Sequence, residues 1–401
     1  MLRILTITTL YPNPVQIRHG VFVRDRLRQF AARYPVERTV VAPVPWFPLR
    51  SKLFGRYADF ARVPEQENGE DPRVFHPRFA VLPKVGGALM PISYYRSVHR
   101  LVRSANLAGV DAIDAHYAFP DGAAAVLLGR KLKKPVVLTV RGSDINLMPN
   151  ELAAGAWIRW ALPRCDAVVA VSADLASKVT ALTGGAANVT VLQNGVDRTR
   201  FDLLPDRSAV RRELGLAGPV VLSVGNLIEL KGHHLVIDAI AGIEKASLII
   251  IGKGPMKNTL QKQIERLGLG DRVQILDELT QEELVRYYNA ADCLVLASSN
   301  EGLPNVLLES LACGTPVVAT AVGGAPEILT SPGAGRLLNE RSSAAITDAV
   351  SRILADETTR RGEVRAQVSR FDWALTASGL AAVFDSVCHK TDAVPEREVR
   401  T

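Results

Sequence analysis

Apolar, β-branched runs alternate with longer amphipathic or Ala/Leu-rich segments along the whole 401-residue chain. In the first half the runs are LRILTIT at 2–8, RTVVAPV at 38–44, AIDAH at 112–116, PVVLTV at 135–140 and AVVAVS at 167–172. Helical patterns at 22–33, 94–107, 122–132 and 173–182 separate them, and 54–71 reads as a polar loop excursion. A second series follows: PVVLSVG at 219–225, SLIIIG at 247–252, VQIL at 273–276, DCLVLAS at 292–298 and PVVATA at 316–321, with helices near 231–241, 255–267, 280–290 and 342–355. Strands that alternate with helices build parallel sheets covered by helices on both faces. A chain of this length exceeds what one core serves.

The prediction is therefore an α/β protein of two doubly wound, Rossmann-like domains. Residues 1–197 form the first, 198–218 a linker and 219–370 the second; a helix at 371–390 returns to the first domain and 391–401 is a frayed tail. The strands end in small or polar residues: Thr9, His116, Arg141-Gly142, Ser172, Gly225, Gly252 and Ser298. Ligands of open α/β sheets bind beyond the carboxyl ends of the strands, so these ends are expected to face one another across a cleft.

Charge narrows the partners. Residues 1–200 hold 27 Lys and Arg against 15 Asp and Glu, whereas the remainder is net acidic within a total of +7. A basic half points to an anionic partner such as a membrane surface or lipid-linked phosphate. Nucleic acid is not expected, since no helix-turn-helix, zinc or RNA-recognition signature accompanies the charge. The opening MLRILTITTLYPNP reads as a strand and a turn without a signal-peptide pattern, which predicts a cytoplasmic protein. Four scattered cysteines with no C-x-x-C argue against disulfides or zinc. There is no D-x-D or H-E-x-x-H for a metal and no G-x-S-x-G for a hydrolase.

Several residues carry candidate chemistry. In NEGLPNVLLESLACGTP, residues 300–316, Glu301 and Glu309 flank a predicted helix start at Pro304, and Gly314 suits its stop. A helix N-terminus with two carboxylates beside it can hold a hydroxyl-rich or anionic ligand. Lys231-Gly232 opens another helix beyond a strand end, where an ammonium can meet a phosphate. In IIGKGPMKNTL, Gly252 ends a strand, but Lys257 breaks the dinucleotide fingerprint. His116 ends a strand and offers a ring N–H to a sugar hydroxyl.

The order NGVD at 194–197, Gly225, Lys231-Gly232, GKGP, EGLPNVLLESLACGTPVVAT and VGGAPEI closely resembles family 4 retaining glycosyltransferases of the GT-B fold. TTLYPNPVQIRHGVFVRD, DAHYAFPDG and TVRGSD look like the bacterial branch that builds lipopolysaccharide, capsule and teichuronic acid. The resemblance implies that Glu301 touches the donor sugar, Glu309 holds the ribose diol and Lys231 neutralises the departing diphosphate in place of a metal. It implies that Gly20 approaches the phosphates, that His116 sits at the sugar, and that backbone N–H groups of Gly302 and Leu303 line the helix start with Pro304 and Asn305. Asn194, Arg141, Asn226 and Gly252 join the donor set. Asn226 departs from the family, which commonly has Arg there; Arg18, Arg24 or Arg141 are the open alternatives for a second phosphate cation.

The activity implied is retaining transfer of a hexose-type sugar, without metal or other cofactor, from a nucleoside-diphosphate sugar, UDP foremost, to a glycan or lipid-linked acceptor. Front-face attack, with the leaving phosphate helping to remove the acceptor proton, is the family's mechanism. The rival readings are a GT-B sugar-nucleotide epimerase and a catalytically silent nucleotide-sugar-binding subunit. Residues 44–57, VPWFPLRSKLFGRY, interleave aromatic and basic side chains and predict peripheral docking on the inner face of the plasma membrane.

Overall fold

Runs rich in Val, Ile and Leu become the strands, because β-branched side chains pack well on a sheet buried on both faces. The computed structural model describes residues 1–46, 59–67, 69, 72–81, 87–356, 358 and 360–390. Its strands in the first half are β1 (Leu2–Ile7), β2 (Val36–Val41), β3 (Val44–Trp46), β4 (Arg73–Phe75), β5 (Arg78–Ala80), β6 (Ala112–His116), β7 (Val136–Val140), β8 (Ala167–Ala170) and β9 (Val189–Val191). The second half adds β10 (Val220–Val224), β11 (Ser247–Ile251), β12 (Val273–Leu276), β13 (Cys293–Leu296), β14 (Val317–Thr320) and β15 (Gly335–Leu338).

Two compact units result: 1–193 with 373–401, and 194–372. The first holds a parallel sheet in the order β4-β2-β1-β6-β7-β8-β9, with β3 and β5 paired separately. The second holds the order β12-β11-β10-β13-β14-β15, also parallel. Each sheet winds outward from one strand, then returns to that strand's other side. The reversal lies between β1 and β6 in the first unit and between β10 and β13 in the second. At such a switch point the loops leave in opposite directions and open a crevice at the strand ends.

Two expectations are corrected. Residues 198–218 are not a linker but part of the second unit, and the chain passes between units at 193/194 and 372/373. Asp206 caps the helix Arg207–Glu213, and Arg207 and Arg211 both grip Asp292 at the foot of β13. The run at 38–44 breaks into β2 and β3 around Pro43, which lacks the N–H a continuing strand needs. A short helix, Arg361–Ala366, precedes the helix Trp373–Lys390, and between them the Phe371 carbonyl accepts from Val196 N–H at 3.0 Å.

The helix Trp373–Lys390 packs on the first unit. Ala377, Leu380, Val383, Phe384 and Val387 share a core with Ile4, Phe30, Ala112, Val137 and Val169, and the Phe30 and Phe384 rings stack at 6.0 Å. The expected tail at 391–401, residues 54–58, 68, 70 and 71 of the 54–71 excursion, and residues 47–57 of the 44–57 segment lie outside the described residues. No helix among the described residues is long and apolar enough to cross a membrane.

Candidate active site

In the second unit the loops after β10 and β13 meet at the switch point. Ser299 N–H donates to the Leu230 carbonyl at 2.8 Å. Gly232, at φ 69°, lies so close to the end of β13 that a Cβ there would fall 2.1 Å from the Ala297 oxygen. Arg341 clamps both loops, its Nε donating to the Ala297 carbonyl at 2.8 Å and Nη2 to the Glu229 carbonyl at 3.1 Å. This stitching brings Lys231 Nζ to 2.6 Å from Glu301 Oε1, with the two side chains 23% and 10% exposed. The pair is anchored from below and still reaches solvent.

Beyond Glu301 the chain turns into the helix Asn305–Ala312, with Pro304 as its N-cap and Gly314, at φ 72°, just past its end. The glycine pair of VGGAPEI supports this turn: Gly324 N–H donates to the Gly302 carbonyl at 2.7 Å, and a Cβ on Gly323 would meet the Glu301 carbonyl. Gly302, Leu303 and Pro304 are buried. Asn194 joins them, its Nδ2 donating to Asn305 Oδ1 at 3.3 Å. Glu309 stands on the helix's second turn and accepts from the Tyr288 hydroxyl at 2.8 Å. Gly252 touches the loop after β10, where a Cβ would overlap the Gly225 carbonyl, so this glycine is required by loop packing. Asn226 is exposed beside it. His233 opens the next helix, buried, with Nδ1 2.9 Å from Ser223 Oγ, and burial lowers its pKa to about 4.

The first unit gathers the remaining candidates. Gly20 precedes the helix Val21–Ala31 in a left-handed conformation, and a Cβ would lie 2.2 Å from the Leu10 carbonyl. His116 ends β6 and is 1% exposed. Its Nε2 lies 2.9 Å from Asp114 Oδ2, an acceptor, and its Nδ1 2.8 Å from Arg141 Nη2, a donor. Only the neutral Nε2–H tautomer satisfies both. Burial accordingly lowers its pKa to about 4, against the pull of Asp114. The expected ring N–H for a sugar hydroxyl is thus already committed to Asp114, and in this arrangement His116 orients Arg141. Arg141 also lies over the Phe22 ring at 5.1 Å.

Four residues that local pattern does not single out complete the framework: Asp144, Asp121, Tyr288 and Arg341. Asp144 accepts from the N–H groups of Ala118, Arg141 and Gly142 at 2.9, 3.0 and 2.7 Å and so ties the loops after β6 and β7 together. Asp121 accepts from Thr9 N–H and Oγ1 at 2.9 and 3.0 Å, and burial raises its pKa to about 8. These two aspartates lie inside DAHYAFPDG and TVRGSD, where the signal belongs to each string as a whole. Among the described residues no group of His, Cys, Asp and Glu is clustered so as to hold a metal.

Residues 20–200 match the family described as Glycosyltransferase Family 4, and residues 206–369 match Glycosyl transferases group 1. The chain belongs to these glycosyltransferases. A putative teichuronic acid biosynthesis glycosyltransferase, TuaC of Bacillus subtilis, is 28% identical over 365 residues, 88% of this chain and 89% of that one. Among solved structures, sucrose-phosphate synthase from Thermosynechococcus elongatus superposes with a TM-score of 0.80 at 20% identity, covering 97% of this chain and all of that one. HepE from Anabaena, in complex with UDP-glucose, gives 0.71 at 22% identity, covering 96% and 100%. The shared architecture is the GT-B fold of two Rossmann-like domains.

Proposed function

We propose that this glycosyltransferase moves a hexose-type sugar, with retention of anomeric configuration, from a UDP-sugar to a glycan or lipid-linked acceptor of cell-surface polysaccharide. The observation that carries the reading is the Lys231–Glu301 contact at the switch point of the second sheet, beside the start of the helix bearing Glu309. In it a cation suited to a leaving diphosphate and a carboxylate suited to sugar hydroxyls stand side by side. Lys231 stabilises the negative charge that develops on the departing phosphate, a task that needs charge fixed in advance. Glu301 orients the sugar and Glu309 holds the ribose. No side chain acts as nucleophile; the leaving phosphate receives the acceptor's proton as the new glycosidic bond forms on the same face.

The relatives support the substrate class: TuaC is named for teichuronic acid, and HepE is solved with UDP-glucose. The reaction needs no metal, because Lys231 supplies the charge. The working place is the inner face of the plasma membrane, a reading supported by the basic first half and by Trp46, 40% exposed at the end of β3.

The test is incubation with UDP- and GDP-sugars, with and without bacterial lipid extract, following nucleotide release and the anomer formed. Acceptor-dependent release with the donor's anomeric configuration preserved is expected. An inverted product, an epimerised sugar nucleotide, or binding without turnover would each overturn the proposal.

A further inference from the structure

Glu309 is held by a residue that the chemistry above does not use. Tyr288 lies on the helix Gln281–Ala290 and is fully buried, its ring edge-on to Phe201 at 6.1 Å. Its backbone is also fixed, since Thr315 Oγ1 donates to the Tyr288 carbonyl at 2.5 Å. Burial, reinforced by Glu309, holds the phenol well above its ordinary pKa, so the hydroxyl keeps its proton and donates to Glu309 Oε2 at 2.8 Å.

A glutamate on a helix face samples several rotamers, and locking it costs side-chain entropy at the moment of binding. A vicinal diol presents two O–H donors, which a carboxylate accepts together only when its plane is correctly turned. The Tyr288 bond occupies one of about four acceptor positions on the carboxylate and fixes that plane in advance. The ring that supplies it cannot move without disturbing the packing around Phe201.

We infer that Tyr288 is a positioning residue that presents the Glu309 carboxylate to the ribose diol, and so sets the preference for ribonucleotides over deoxyribonucleotides. This rests on the proposed role of Glu309 as the ribose ligand.

The experiment measures calorimetric affinity of UDP, GDP and their 2′-deoxy counterparts for the full chain, for Tyr288→Phe and for Glu309→Gln, with a melting curve for each. Phenylalanine keeps the ring and removes only the donor. The expected result is that Tyr288→Phe weakens ribonucleotide binding about tenfold, as loss of a hydrogen bond to a charged group does, while deoxyribonucleotide binding changes little. The ratio between the two then shrinks toward that of Glu309→Gln. If Tyr288→Phe weakens both nucleotide forms equally, or leaves the ratio as in the wild type, Tyr288 serves packing alone and the inference is overturned. If the wild type itself shows no preference for the ribose form, the role of Glu309 fails first and the inference falls with it.

Discussion

Lys231 and Glu301, seventy positions apart in the chain, share a 2.6 Å hydrogen-bonded ion pair at the switch point of the second sheet. Each restrains the other, so removing one leaves the partner poorly neutralised in a site only partly open to water. Lys231→Ala is expected to lower turnover on the order of 10²-fold, the usual consequence of losing a preorganised charge at a developing oxyanion. Lys231→Ala combined with Glu301→Ala is expected to lose less than the two single effects multiplied, because the pair acts as a unit. Wild-type turnover is expected to survive EDTA. Full activity of Lys231→Ala, or abolition of wild-type activity by EDTA, would assign the phosphate charge to another group.

The two glutamates separate kinetically if their roles differ. Glu301→Ala is expected to reduce kcat far more than nucleotide affinity, since its contact strengthens where charge develops on the sugar. Glu309→Ala is expected to raise the dissociation constant for UDP while turnover at saturating donor falls less. Steady-state kinetics beside calorimetry decides it; equal effects of both variants on affinity, with unchanged turnover per bound donor, would refute the division.

The parallel sheets are legible in the sequence because each long strand is a β-branched run between helical patterns, and every strand expected from such a run occurs within a few residues of its place. The three-residue strands β4, β5 and β9 carry too little pattern to separate from a loop, and β15, GRLL, opens on Gly335 and Arg336 and so lacks the β-branched run that marks the other four-residue strands. Glu301, Glu309 and Lys231 stand out because helix-start chemistry marks them locally. Tyr288 and Arg341 do not, since a hydrogen bond to Glu309 or to the Ala297 carbonyl is made by tertiary packing and leaves no local spacing. His116 shows the limit in the other direction. Its position at a strand end is legible, but the commitment of both ring nitrogens to Asp114 and Arg141 depends on side-chain direction.

Buried neutral histidines predict acid lability. His116 and His233 have folded pKa values lowered to about 4 by burial, against 6.5 for the free side chain. The unfolded chain therefore binds more protons between those values, and stability rises with pH across that window. The contribution is fully present above pH 6.5 and is lost as pH falls toward 4, each histidine changing the stability by roughly 1.4 kcal/mol for every pH step of one within the window. Chemical denaturation at pH 7, 5.5 and 4.5 is expected to show a progressive fall, and His116→Gln, which cannot take up the proton, is expected to flatten part of it. A pH profile identical to the wild type in His116→Gln would contradict a neutral, buried His116.

Membrane docking makes the last prediction. Trp46 closes β3 with 40% of its surface exposed, in the half of the chain carrying the excess of Lys and Arg. The Phe47 to Tyr57 stretch that follows it lies outside the described residues, but its sequence places Phe47, Phe54 and Tyr57 among Arg50, Lys52 and Arg56. Aromatic rings favour the headgroup boundary, and each basic residue near an anionic surface contributes about 1 kcal/mol. Three charges and several rings suffice for reversible binding without a spanning helix. Sedimentation with liposomes is expected to require anionic lipid, to weaken with salt through screening, and to fall when Trp46, Phe47 and Phe54 are changed to Ser. Equal pelleting with neutral and anionic vesicles, or none with either, would make the basic half an ordinary solvated surface.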